Sequence, residues 1–161
     1  MIGSIFEMTA TSLPEKSGVP HLEVHLSEDV VAMIPMASVR EVSVIAAGQV
    51  VPVPNMPSCV LGTANCHNRL YWLVDLPQLL TIRTLDVGGQ RYSVVLVEAK
   101  DQALALAVPE IRGIARLEAI DPLLESLPYN LTPYVLGCTR GDRPAYVLNV
   151  AALLESPVLQ S

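Results

Sequence analysis

Hydrophobic and polar residues alternate along much of this chain with the two-residue period of a half-buried strand. In residues 21–26, Leu22, Val24 and Leu26 share one side, and His21, Glu23 and His25 share the other. The pattern predicts a strand with both histidines turned to solvent. After Ser27-Glu28-Asp29, residues 30–34 are almost continuously apolar, as in a strand buried on both faces. The strand pattern resumes over 39–45, where Arg40 and Glu41 lie near opposite surfaces and Val39, Val42 and Val44 are either core positions or an apolar edge-strand surface open to a partner. Residues 49–57 carry three prolines and an asparagine, so an extended crossing segment is expected there in place of a central strand. Residues 59–64 and 69–74 are predicted strands around a turn at Cys66-His67-Asn68. Residues 76–80 suffice for one helical turn.

The pattern then repeats. Residues 60–80 read VLGTANCHNRLYWLVDLPQLL and residues 135–154 read VLGCTRGDRPAYVLNVAALL. With a single gap, Gly62 falls on Gly137, Arg69 on Arg143, Trp72 on Tyr146 and Asp75 on Asn149, an offset of about 74–75 residues. That spacing exceeds a solenoid period. It describes two halves of one molecule, about 20–87 and 88–155, with the join near Gly88-Gly89. The second half is expected to form strands over 92–98, 103–108, 111–117, 135–138 and 145–148. A loop with a helical turn fills 121–129, and a short C-terminal helix runs from Asn149 to about Glu155, ended by Pro157. Five short strands per half escape exposed edges most simply by curling into a barrel. The expected fold is therefore all-β, two small barrels sharing one apolar core, each either entire or trading strands with the other.

The chain has 161 residues, of which 51% are apolar and 16% charged, enough for a packed core. A formal net charge of −6, with ten basic residues scattered singly, argues against nucleic acid and anionic membrane surfaces as partners. Residues 1–19 read as a loose lead-in. They lack a basic n-region, and Glu7 breaks their apolar run, which argues against a signal peptide. No run reaches the ~18 apolar residues of a membrane span. Cys59, Cys66 and Cys138 are odd in number and form no Cys-x-x-Cys, so free thiols in a reducing cytosol are expected.

Candidate chemistry is thin. Cys59, Cys66 and His67 lack the spacing and the fourth ligand of a zinc site, so neither metal nor cofactor is expected. Cys66, His67 and Asp75 form the one compact set that a cysteine-dependent hydrolase could use. Adjacent extended residues point apart, however, and Asp75 precedes a helical turn that it can cap, as Asn149 can in the repeat. Gly62 and Gly137 suit positions of close backbone approach or positive φ.

The segments VREV (39–42), PNMP (54–57), VLGTAN (60–65) and LVDL (73–76), in that order, resemble the CheW family. So do residues 94–97 followed by 103–108, and the closing 147–154. The resemblance spans about residues 20–155. It implies two five-stranded SH3-like barrels around a common core. It also implies a non-enzymatic cytoplasmic adaptor, associated with membrane receptor arrays, that joins the cytoplasmic tips of chemoreceptors to the regulatory domain of a CheA-type histidine kinase. By the same resemblance, Val39, Glu41 and Val42 belong to a partner-binding face on the first barrel. Gly62, Asn65 and His67 line a receptor-facing groove, and Leu127 and Tyr129 offer an apolar patch on the second half. Where family members normally read Asn-Leu-Arg-Gly, this chain has Asn65-Cys66-His67-Asn68. That departure points to a divergent adaptor, of the PilI type in twitching or phototaxis systems. A regulator that sequesters receptors without binding kinase is the alternative within the family.

Overall fold

The computed structural model describes residues 18–82, 90–122, 131–139 and 144–160. Ten strands appear in chain order: β1 (Val19–His25), β2 (Val31–Pro35), β3 (Val39–Ala46), β4 (Val60–Cys66), β5 (Arg69–Asp75), β6 (Arg91–Ala99), β7 (Gln102–Val108), β8 (Glu110–Leu117), β9 (Val135–Cys138) and β10 (Ala145–Leu148). Short helices α1 (Leu76–Leu79) and α2 (Val150–Leu154) follow β5 and β10, and α3 (Pro157–Gln160) closes the chain. Pro157 ends α2 as expected and also opens one further helical turn.

The strands form two five-stranded sheets that curl into half-barrels. Sheet one runs β3-β6-β7-β5-β4, and sheet two runs β8-β1-β2-β10-β9. Adding or subtracting five converts one order into the other. Each sheet therefore draws strands from both halves of the chain: β6 and β7 join the first half's β3, β4 and β5, while β1 and β2 join β8, β9 and β10. In each sheet the hairpins pair antiparallel and one parallel contact completes the order, β5 with β7 and β10 with β2.

The duplication extends to single hydrogen bonds. After β3 the crossing segment returns so that Val51 exchanges two backbone bonds with Thr63 of β4; after β8, Asp121 exchanges two with Cys138 of β9. Each bridge passes over a glycine. A Cβ on Gly62, whose φ is +145°, would overlap the Val51 carbonyl oxygen, and one on Gly137 would overlap that of Asp121. Asp75 Oδ1 accepts from the Gln78 N–H and Asn149 Oδ1 from that of Ala152, both at 3.1 Å, capping α1 and α2.

Three apolar layers result. Sheet one encloses Ile45, Tyr71, Leu73, Val94 and Leu96, and sheet two encloses Val31, Met33, Ala145 and Val147. The largest cluster lies between the sheets, where Val24, Ile34, Val74, Val95, Leu106 and Leu153 are all buried. One sequence expectation fails here. His21 is 2% exposed, not solvent-facing, with Nδ1 2.8 Å from the Val19 carbonyl oxygen. A curled sheet buries both faces, so the polar side of β1 turns into sheet two. Val42 and Val44, for which core was one of two readings, are 46% and 61% exposed because β3 is an end strand of sheet one.

Candidate docking faces

Directly paired residues of neighbouring strands share a face. Val42 pairs with Val95 and Val44 with Ser93, so both valines stand on the outer side of sheet one. The middle of that side, from Val95 to Leu106, is covered by the inter-sheet core. Its two flanks are not. On the β3 flank, the register slips between Val39 and Glu41, leaving Arg40 in a bulge from which its Nη1 reaches Glu98 Oε2 at 2.8 Å. Val39 is half-buried against the core and Val42 and Val44 stand free.

On the β5 flank, Leu70 and Trp72 face outwards while Tyr71 and Leu73 fill the interior. Trp72 forms one wall of a groove of about 360 Å³. Its other walls include Met56 of the crossing segment, Ala103 and Leu104 of β7, and Leu154 and Leu159 of α2 and α3. Because α2 follows a strand of sheet two, the groove runs between the two halves of the molecule. The sequence reading missed this lining. The run Leu70–Val74 hides its alternation behind five apolar or aromatic residues, and the docking of α2 and α3 is a tertiary fact.

The other candidate residues fall elsewhere. Gly62 is buried beneath the Val51–Pro52 backbone. Asn65, Cys66, His67 and Asn68 form the β4–β5 hairpin tip, where His67 and Asn68 adopt φ of 51° and 65°. Asn65 Oδ1 accepts the Asn68 N–H at 3.1 Å. None of Gly62, Asn65 and His67 lines the Trp72 groove. His67 Nδ1 instead lies 3.0 Å from Glu41 Oε1, so two residues chosen for separate faces are brought together. Leu127 and Tyr129 lie outside the described residues, as do the expected join near Gly88-Gly89 and most of the 121–129 loop.

The hydrolase set does not assemble. Cys66 is buried, and burial first, then the Glu41 charge, push its thiol above the ordinary range. That is the opposite of an activated nucleophile. His67 points to solvent and Glu41, and Asp75 is committed to capping α1. Burial also raises the Cys59 thiol. No group of three or more metal-ligating side chains occurs among the described residues, and no described helix is long and apolar enough to cross a membrane.

A duplicated β scaffold whose distinguishing features are apolar surfaces defines a protein-docking module. The chain belongs to the CheW-like domain family, whose model matches residues 20–158. Its fold is similar to the scaffolding protein TtCheW from Thermoanaerobacter tengcongensis, with a TM-score of 0.74 at 18% identity over 88% of this chain and 96% of that one. No curated protein matches the chain. The family is one of scaffolds, which supports a chemotaxis adaptor role in general terms and a non-enzymatic one.

Proposed function

We propose that this protein is a cytoplasmic adaptor that holds a CheA-type histidine kinase and a chemoreceptor tip at the same time, within receptor arrays. The observation that carries the reading is the division of sheet one's outer side into two exposed flanks separated by a covered centre. Val39 and Val42, on the outer side of β3, take the kinase regulatory domain, and Glu41, which pairs with Leu96 on the opposite side, meets it at the strand's edge. The Trp72 groove suits an apolar ridge on a receptor helical hairpin, and the Asn65–His67 tip meets the rim of that partner. Leu127 and Tyr129 would contact the kinase or a neighbouring adaptor. A rigid body bound to both partners transmits receptor state when its affinity differs between their on and off forms.

Histidine at position 67, where relatives carry arginine, offers fewer donors and less constant charge. This supports a divergent receptor, as in twitching or phototaxis systems. The test is a pair of titrations of the purified protein, one with a kinase regulatory domain and one with a receptor-tip fragment. Val42→Asp should abolish the first and spare the second, and Trp72→Ala should do the reverse. Loss of both by either variant, with the fold intact, would sink the two-face reading.

A further inference from the structure

The strand pairings of this fold are of two kinds. The hairpins β1–β2, β4–β5, β6–β7 and β9–β10 each lie within one half of the chain. Every other pairing between the described strands crosses from one half to the other. β3 with β6 and β1 with β8 do so over seven residue pairs each, β5 with β7 and β10 with β2 over three each. Among the described strands, β3 and β8 have no partner in their own half. The central core is shared in the same way, Ile34 and Val74 packing with Leu106 and Leu153. So is the Trp72 groove, where Met56 and Trp72 come from the first half and Leu104 and Leu159 from the second. A half by itself is two hairpins and a lone strand, and isolated hairpins are marginal in water.

We propose that a second copy of this chain takes the place of either half, giving a dimer in which the halves are exchanged reciprocally. Such a dimer repeats every pairing of the monomer, so mass action decides between the two forms. The short link across residues 83–89 gives a chain's own half an effective concentration on the order of millimolar. Hairpins form early and the long-range pairings later, so folding passes through hairpins awaiting a complementary half. Dilute chains then close on themselves, and concentrated chains close on each other. Once closed, the dimer persists on dilution, because separation requires unfolding. Each Trp72 groove is completed by the partner copy, and every docking face is present twice. That bivalence rests on the function proposed above. The exchange itself does not.

Val44 and Ser93 stand opposite each other across the β3–β6 pairing. Two full-length variants, Val44→Cys and Ser93→Cys, both carrying Cys138→Ser to remove the half-buried native thiol, are mixed in urea. They are refolded at about 10 μM and at about 1 mM, up to the effective concentration of the link. Light scattering gives the mass, and a short bis-maleimide reports whether positions 44 and 93 adjoin. Dilute refolding should give unbridged monomers. Concentrated refolding should raise the dimer-to-monomer ratio about 10- to 100-fold, with mixed dimers bridged between chains. The double variant Val44→Cys/Ser93→Cys, refolded dilute, should bridge within a monomer, which shows that the pairing is intact. Ala46 and Arg91, further along the same pairing, give a second pair of positions for the same measurement. Absence of a dimer at high concentration, or a dimer whose chains do not bridge, would overturn the proposal. A bridged dimer that binds neither kinase domain nor receptor fragment would refute the docking reading and support the exchange.

Discussion

The two half-barrels share a topology and differ in what fills them. In sheet one the hairpin strands β4 and β5 are seven residues each; in sheet two their counterparts β9 and β10 are four each. Among the described residues, sheet one buries nine side chains in its interior, Tyr71 and Leu73 included, whereas sheet two buries four apolar ones. Half-buried Ala115 and Leu117 pack against these four, and the β1 side of the lining is polar. Glu23 pairs with Met33, His25 with Val31 and His21 with Ala115, which places all three polar side chains of β1 on the enclosed face. The duplication thus preserved what the backbone requires, namely the glycines under the bridges and the helix caps. It let the cores diverge. Sheet one became the better packed body, and both proposed docking flanks lie on it.

The sharpest way to break this contrast is to remove equivalent volume from each interior. Val94→Ala opens a cavity in sheet one at a fully buried site and should cost about 2–4 kcal/mol in urea unfolding. Val147→Ala, also fully buried but in the sparser interior, should cost about 1–2 kcal/mol. Equal losses would mean that the two interiors are packed alike.

Next in size are the bridged glycines. Gly62→Ala meets the Val51 carbonyl and also strains a backbone at φ +145°, for roughly 2–4 kcal/mol. Gly137→Ala meets the Asp121 carbonyl and the Ile120 Cγ2 methyl but adds no positive-φ strain, for about 1–3 kcal/mol. Gly113 sits at φ +136° with nothing near its missing Cβ, so Gly113→Ala isolates the backbone strain at about 1 kcal/mol. A Gly62→Ala cost no larger than that of Gly113→Ala would show that the crossing segment yields freely. The caps follow: Asp75→Ala and Asn149→Ala should each cost about 1 kcal/mol, measurable as a fall in midpoint denaturant.

The duplicated features were the most legible part of the chain. Gly62 and Gly137, Asp75 and Asn149, and the proline-rich crossing segment were readable because each answers a local backbone demand, and the repeat states each demand twice. All ten expected strands match to within about two residues at either end. What could not be read depends on the other half of the molecule. Nearly matching strand patterns in both halves leave intra-half and inter-half pairing equivalent at the level of sequence, so the shared sheets were open. His21 looked solvent-facing because alternation says that two faces differ, and not that one of them is wet. Trp72, the only tryptophan, became a groove wall because α2 and α3 dock opposite it.

The smallest expected effect separates the thiols of the two sheets. Cys59 and Cys66 are buried on either side of sheet one, and burial raises both thiols above the ordinary cysteine range; Cys138 of sheet two is half-buried. The unfolded chain would ionise these groups near pH 8.5, where the folded protein holds Cys59 and Cys66 neutral. A raised folded value contributes stability that is fully present below the unfolded value and is lost as pH rises from there through the folded value. Thermal stability should therefore decline from about pH 8.5 upward, and Cys59→Ala with Cys66→Ala should flatten that decline. Alkylation at pH 8 should mark Cys138 first, because it is the more accessible and the other two require local opening. Prior labelling of Cys66 would mean that the β4–β5 hairpin opens more readily than sheet two, and that the better packed half-barrel is not the more rigid one.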